Sequence, residues 1–158
     1  MKNLMMGLDL SLKRTGFAMG WTHEQEPFAI RSLQSNPRQE PLDRISGHVD
    51  FVVNQVMMFE NEFDNLVLVV ESPFLVQNVR ARGAHYVYWL HGAVRHQLWV
   101  KHRPTIFEVA VPTLKKFATG NGKADKSDMI AASKMDLNDD QADAYWLFRY
   151  GSWLWSQD

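Results

Sequence analysis

The chain has 158 residues, 17 of them Lys or Arg and 18 Asp or Glu, and 12% are aromatic. That length fits a single domain over residues 1–158 with a sizeable core, and the many aromatic residues at near-zero net charge exclude a disordered chain. The absence of cysteine excludes disulfides, thiolate zinc sites and a cysteine nucleophile. No apolar run approaches the ~18–20 residues that span a bilayer, and Gly7 and Asp9 come too early for a signal peptide, so we expect a cytoplasmic protein.

Charge is distributed unevenly along the chain. Residues 1–73 carry 6 basic and 10 acidic side chains, residues 74–126 carry 9 basic and 2 acidic, and residues 127–158 carry 2 basic and 6 acidic. A basic block between two acidic blocks predicts a positive face beside a cluster of carboxylates. The alternative is a chance distribution of solvated charges.

The first half of the chain predicts a meander of three strands, then a helix and a strand. Apolar runs predict strands over residues 4–10, 17–21 and 28–33, with turns at 13–16 and 23–27. From Pro41, apolar residues recur every three or four positions as far as Phe59, which is typical of an amphipathic helix. The β-branched run at 66–70 predicts a central buried strand that ends at Glu71.

The second half predicts a further helix and strand, then short helices. A helix carries Val87, Leu90, Val94 and Leu98 on one face and ends at Pro104, and a fifth strand covers 105–111. Three short helices follow, each with a candidate N-cap. Thr113 precedes a helix over 114–117, Ser127 precedes one that runs to 135, and Asn138 precedes one that runs to about 150. The order of elements predicts an α/β fold in which a mixed five-stranded sheet has helices on both faces.

Carboxylates lie where each central strand ends. Asp9 and Glu71 close two apolar runs, and their ends meet if the two strands are neighbours. On the last helix, Asp140 and Asp143 are three residues apart and Asp139 and Asp143 four apart, so spacing leaves two pairings open. Helix capping alone would also explain these acids.

Several carboxylates in one cleft repel each other unless cations lie between them. Ligand sets made only of oxygen suit Mg²⁺ and Mn²⁺. Two such ions roughly 4 Å apart serve phosphoryl transfer, and a basic face beside them suits a phosphodiester backbone. The pattern therefore favours a metal-dependent nuclease.

Five segments together resemble a known family. Residues 7–18 (GLDLSLKRTGFA) resemble the first motif of the RuvC Holliday-junction resolvases, and residues 71–74 (ESPF) resemble their second. Residues 81–84 (ARGA) are similar to a stretch of the following helix, residues 120–126 (GNGKADK) to a Gly-x-Gly-x-Ala-x-Lys loop, and residues 140–144 (DQADA) to the final acidic helix. The motifs occur in family order over nearly the whole chain.

The resemblance implies an RNase H-like fold, a homodimer, and nicking of four-way junctions with two Mg²⁺ ions per active site, for which Mn²⁺ can substitute. It assigns catalysis and metal binding to Asp9, Glu71, Asp140 and Asp143, and leaves Asp139 as an extra acid. The residues it places in contact with DNA are Phe74, Arg82, Lys115, Lys116, Lys123 and Lys126.

The chain departs from the family pattern after the first aspartate, where Leu10-Ser11 replaces Pro-Gly. This is more similar to a divergent, phage-encoded branch, which implies a bacterial host cytoplasm and extends the expected substrates to flaps and forks. Two alternatives remain at this stage. One is a nucleic-acid-binding protein whose acids only cap and pair, and the other is a sugar-kinase-like ATPase, which needs a longer chain.

The histidines of the second predicted helix do not indicate a metal site. His85, His91 and His96 are six and five residues apart, so they do not share a face, and we expect them on the surface or facing DNA. The aromatic residues of that helix are expected in the core or at a dimer contact.

Overall fold

The computed structural model describes residues 1–73 and 83–157. Ten elements are formed within these residues. The strands are β1 (Asn3–Asp9), β2 (Arg14–Trp21), β3 (Ala29–Gln34), β4 (Asn65–Glu71) and β5 (Thr105–Val109). The helices are α1 (Pro41–Met57), α2 (Ala84–His102), α3 (Val111–Thr119), α4 (Lys126–Ser133) and α5 (Asp139–Trp155).

The strands form one mixed sheet in the order β3-β2-β1-β4-β5. β1, β2 and β3 pair antiparallel, whereas β4 runs parallel to β1 and β5 parallel to β4. This confirms the predicted sheet. β1 and β4 lie at its centre, so they are buried on both faces, which explains their unbroken apolar sequences.

Helices cover both faces of the sheet, because successive strand residues point to opposite sides. Leu4, Met6 and Leu8 of β1 pack with residues of α1 and α2 on one face. Met5 of β1, together with Val67 and Val69 of β4, packs against α3, α4 and α5 on the other.

Several predicted helix starts are wrong. α3 begins at Val111 with Ala110 as N-cap and no side-chain cap, because Pro112 already suits the first turn, so Thr113 is not the cap. α4 is capped by Asp125, whose carboxylate accepts from the Asp128 backbone N–H in a capping box, and the predicted cap Ser127 instead donates its hydroxyl to Asp125. The Asn138 cap of α5 is confirmed.

Three element ends also differ from prediction. β2 begins at Arg14, within the predicted turn, because Arg14 to Gly16 already pair with β3. β5 ends at Val109, since the backbone at 111 has turned into α3. α5 continues to Trp155, which packs edge-on against Phe107 and so extends the core along the helix. No helix in residues 1–73 or 83–157 is both long and apolar enough to cross a membrane.

Candidate active site

Four carboxylates gather at one edge of the sheet. Asp9 ends β1 and Glu71 ends β4, and because these strands are parallel neighbours, with Leu8 opposite Val70, the two acids lie side by side. Asp140 and Asp143 lie in the first turns of α5. The negative charges of Glu71, Asp143 and Asp140 act on Asp9, and the Asp140 side chain lies within hydrogen-bonding range of it. The structure thus brings together all four acids that the sequence singled out.

Glycines let α5 lie directly on the sheet at this point. Gly16 of β2 is opposite Asp9, and a methyl group there would overlap the backbone carbonyl of Asp140. A methyl group at Gly7 of β1 would overlap the backbone oxygen of Ala144. The acid-bearing turn is therefore seated on bare backbone, and its distance from Asp9 is set by main chain rather than by flexible side chains.

Burial and mutual repulsion disfavour the ionised acids. Burial raises the pKa of Asp9 well above its usual range, and the charges of Glu71, Asp143 and Asp140 raise it further. Burial, followed by the Asp143 charge, raises the pKa of Glu71 to about 7. Burial also raises the pKa of Asp143 to about 6, against the opposing effect of Lys126. The cluster carries more negative charge than its surroundings neutralise.

Three basic side chains border the acids. The Arg14 guanidinium bridges two carboxylates, with Nη1 at 3.2 Å from Asp139 Oδ1 and 3.1 Å from Asp140 Oδ2. Lys126 Nζ donates to Asp139 Oδ2 at 2.5 Å, which holds the pKa of Asp139 below its usual range. Lys115 lies close enough to Glu71 and Asp143 to offset part of the rise in the pKa of each. Asp139 is thus committed to ion pairs.

The donor set fits a hard divalent cation. Carboxylate oxygens are the ligands that Mg²⁺ and Mn²⁺ prefer. The pKa values of Asp9, Glu71 and Asp143 are raised by burial even though Lys115 and Lys126 lie nearby, so the neighbouring lysines do not fully neutralise the cluster. Within the described ranges, no three acidic or histidine side chains yet enclose a common point at ligand distance. Carboxylates that repel each other stay apart until a cation draws them in, so Asp9, Glu71, Asp140 and Asp143 would hold the metal after side-chain rotation.

The loop between β1 and β2 is fixed by the carbonyl oxygen of Leu12. It accepts from Ser35 Oγ at 2.5 Å, from His48 Nε2 at 2.9 Å and from Arg44 Nη2 at 3.0 Å. His48 is fully buried on α1, and since a carbonyl can only accept, its Nε2 carries the proton. This anchor fixes the loop that carries Arg14 to Asp139 and Asp140.

A second feature adjoins the acids on the side of α2. A cavity of about 580 Å³ is bordered by Asp9 and Glu71, with His91 and Lys115 among its other lining residues. The three α2 histidines were expected on the surface or facing DNA. His91 does not lie on the surface, since it is only 6% exposed and occupies the inward face beside Leu90 and Val94, but it lines the cavity beside the acids. His85 and His96 are exposed as expected.

The residues expected to contact DNA divide into three groups. Phe74 and Arg82 lie outside the described residues. Lys115 and Lys126 line the cleft of the acids. Lys116 and Lys123 are exposed on the surface, and neither has an acidic partner among the described residues.

Only part of the basic block is free to act on a ligand. Arg95 is ion-paired with Glu108, and Lys101 Nζ lies 2.7 Å from Glu60 Oε1. The positive side chains left facing the acidic cleft are chiefly those of α3 and the start of α4.

Sequence reasoning missed the parts of the site that depend on distant contacts. Arg14 is 125 residues from Asp139, and no spacing rule connects the two. The Leu12 anchor depends on Arg44 and His48, which read only as helix residues between apolar positions. A partial signal was present for Arg14, since it lies within the first motif, residues 7–18.

No protein-family model matches the chain, and no curated protein matches it. Among solved structures, the chain is similar to the RuvC structure of Thermus thermophilus, with a TM-score of 0.67 and 15% identity over 97% of this chain and 96% of that one. It is also similar to T. thermophilus RuvC in complex with a Holliday junction substrate, with a TM-score of 0.71 and 12% identity over 97% and 95% of the two chains. The fold is therefore the RNase H-like fold of RuvC, as the sequence predicted.

Proposed function

We propose that this chain is a metal-dependent, structure-selective endonuclease that nicks four-way DNA junctions and other branched DNA. The observation that carries the proposal is the meeting of Asp9, Glu71, Asp140 and Asp143 at one edge of an RNase H-like sheet. The fold it shares with a protein solved on a Holliday junction supports branched DNA as the substrate. As part of the same proposal, the chain belongs to a phage-encoded branch of these enzymes and also cuts flaps and forks.

The four carboxylates would hold Mg²⁺ or Mn²⁺, which when bound supplies an activated water and neutralises charge on the leaving oxygen. The chain itself keeps the acids on rigid elements, two at strand ends and two on a helix seated on glycine. Lys115, beside Glu71 and Asp143, is placed to contact a phosphate oxygen next to the reacting bond. Arg14 and Lys126 hold Asp139 and so fix the start of α5.

The test is a cleavage assay on labelled DNA. Purified protein is incubated with four-way, three-way, flap, fork and linear duplex substrates, with Mg²⁺, with Mn²⁺ and with chelator. We expect paired nicks at the crossover of the four-way junction, slower cutting of the other branched forms, and no cutting in chelator. Binding of junctions without cutting under every metal condition would instead favour a non-catalytic DNA-binding protein, in which Arg14 and Lys126 merely neutralise the acids.

We also propose that the active form is a homodimer joined through α2. Paired cuts across a junction call for two sites related by a two-fold axis. Leu90 and Val94 of α2 are buried in the chain's own core and are not available for such a contact. Trp89, Trp99 and Val100 are 51%, 45% and 65% exposed on the outer face of α2 and are the better candidates.

Replacing Trp89 tests the dimer. Trp89→Glu places a charge on the outer face of α2, so we expect sedimentation at micromolar concentration to change from dimer to monomer, with loss of paired nicks. Leu42→Glu is the matched control, because Leu42 is 53% exposed on α1. A wild-type protein that sediments as a monomer and still makes paired nicks contradicts the proposal.

Gly16 tests how closely α5 must be seated. In Gly16→Ala, the added methyl group pushes the backbone of Asp140 outward, and a displacement of about 1 Å can cost roughly a hundredfold in rate. We expect cleavage to fall by about that factor while junction binding persists, as measured by single-turnover kinetics and gel shift. Gly47→Ala on α1 is the control, since the space at that position is open. Wild-type cleavage by a folded Gly16→Ala protein would show that the seating does not position the acids.

A further inference from the structure

The cavity beside the acids has walls of unusual chemistry for a site that handles phosphates. Leu10, Val87, Val111 and Pro112 contribute aliphatic surface to it, and Ser11, Ser72, His91 and Lys115 contribute a few polar groups. Its volume of about 580 Å³ is in the usual range of small-molecule sites, and a mostly apolar lining with a few polar groups is typical of them. Because Asp9 and Glu71 form its border, anything bound in it lies next to the acid cluster.

His91 is an unsatisfied polar residue in this lining. It is 6% exposed, and its Nδ1 is shielded from solvent with no hydrogen-bond partner in the described part of the chain. A buried polar atom left unpaired destabilises the folded protein, so such a residue calls for an explanation. Because His91 also lines the cavity, a ligand there would supply a partner for the imidazole after rotation of the ring.

The surroundings of His91 keep it neutral. Burial, followed by the charge of Arg95, lowers the pKa of His91 to about 4. Arg95 lies one turn further along α2 and is held by Glu108. A neutral imidazole offers one N–H and one lone pair, which suits the edge of a heterocycle rather than a phosphate.

We propose that this cavity is a subsite for an unpaired nucleobase next to the cleaved phosphodiester, with His91 hydrogen-bonded to the edge of the base. The inference rests on the proposed function and specifies which feature of branched DNA is recognised. A base is the part of DNA with apolar faces and a polar edge, and it matches aliphatic walls that carry a few polar groups, His91 among them. In linear duplex the base is stacked and paired, and extruding it costs a few kcal/mol, whereas a crossover offers it at a lower cost.

The test combines His91 variants with altered junctions. Four-way junctions carry each of the four bases, or an abasic site, at the nucleotides flanking the cut. In the wild type we expect the abasic site to slow cleavage by about three- to tenfold, the value of one hydrogen bond. His91→Leu should slow cleavage of the intact junction by a similar factor and show no further loss on the abasic one, whereas His91→Gln, which retains a polar amide, should keep part of the rate and of the base preference.

A binding readout separates this proposal from the activity. Glu71→Gln protein is titrated onto a junction with 2-aminopurine beside the cut site, and the fluorescence change is compared with that of the Glu71→Gln/His91→Leu double variant. A change that the His91 substitution abolishes supports the subsite. The proposal is overturned if both proteins bind the junction with the same fluorescence. It is also overturned if the abasic site slows cleavage by His91→Leu as much as it slows cleavage by the wild type. If no branched DNA is cut, the proposed function fails and the fluorescence comparison alone decides the subsite; if no DNA is bound, both fail.

Discussion

Glu71→Gln is expected to lower junction cleavage by at least about a thousandfold while leaving junction affinity within a few-fold of the wild type. The carboxylate lies close to Asp9 and Asp143, so its loss removes a ligand from the proposed metal site. Affinity is expected to persist because it depends mainly on phosphate contacts made by other side chains. Single-turnover cleavage and gel shift at fixed salt measure the two effects.

The same series decides which acids of α5 take part. Asp143→Asn and Asp140→Asn should resemble Glu71→Gln, whereas Asp139→Asn should lose less, since Asp139 is taken up by Arg14 and Lys126. Asp136→Asn, in the exposed segment before α5, is the matched control. Full activity of Asp143→Asn would remove that residue from the site, and full activity of Glu71→Gln would contradict the proposed mechanism as a whole.

Neutralising Glu71 should also stabilise the metal-free protein at alkaline pH. A carboxyl whose pKa is raised on folding stabilises the native state below its unfolded pKa, and that contribution is lost as pH rises through the folded value. For Glu71 the window runs from 4.5 to about 7, and for Asp143 from 3.8 to about 6. In chelator, the free energy of unfolding should therefore decrease as the pH rises from 4 to 8. Ionisation of Glu71 alone should account for about 3 kcal/mol of this decrease.

Thermal unfolding in chelator measures this effect. At pH 8, Glu71→Gln should raise Tm by roughly 5–10 °C, and at pH 4 it should change Tm little. Added Mg²⁺ should raise the Tm of the wild type and leave that of Glu71→Gln nearly unchanged, because a ligand that binds only the native state stabilises it. Glu62→Gln is the control, since that acid is 55% exposed. If Tm depends on pH equally in the wild type and in Glu71→Gln, ionisation of Glu71 does not destabilise the folded protein.

The elements and the acid cluster were predictable because each has a local signal. The unbroken apolar runs of β1 and β4 require burial on both faces, and an acid that ends such a run is conspicuous. Choosing Asp140 and Asp143 over Asp139 needed more than spacing, because both pairings share a helix face. Arg14 contacts both Asp139 and Asp140, and the additional ion pair of Asp139 with Lys126 favours Asp140 for the proposed metal site.

Features that depend on contacts distant in sequence were not predictable. The burial of His91 is an exception, because His91 comes four residues after Val87 and three before Val94, so it shares the apolar face of α2 that the spacing predicted. The N-caps of α3 and α4 differed because several nearby residues could serve, and local backbone geometry selects among them. The anchor on the Leu12 carbonyl has no signature in the sequence, since its donors come from α1 and from the residue after β3.

The order of the elements along the chain has a consequence for biosynthesis. β1 and β4 are made before α5, so the cleft holds only half of its acids until Asp139–Trp155 has been made and has docked on Gly7 and Gly16. On the function we propose, a nascent chain would therefore not cut nucleic acid before α5 has emerged from the ribosome. The same order predicts that a chain cut between α4 and α5 yields two inert fragments, and that the proposed nuclease activity returns only when they meet.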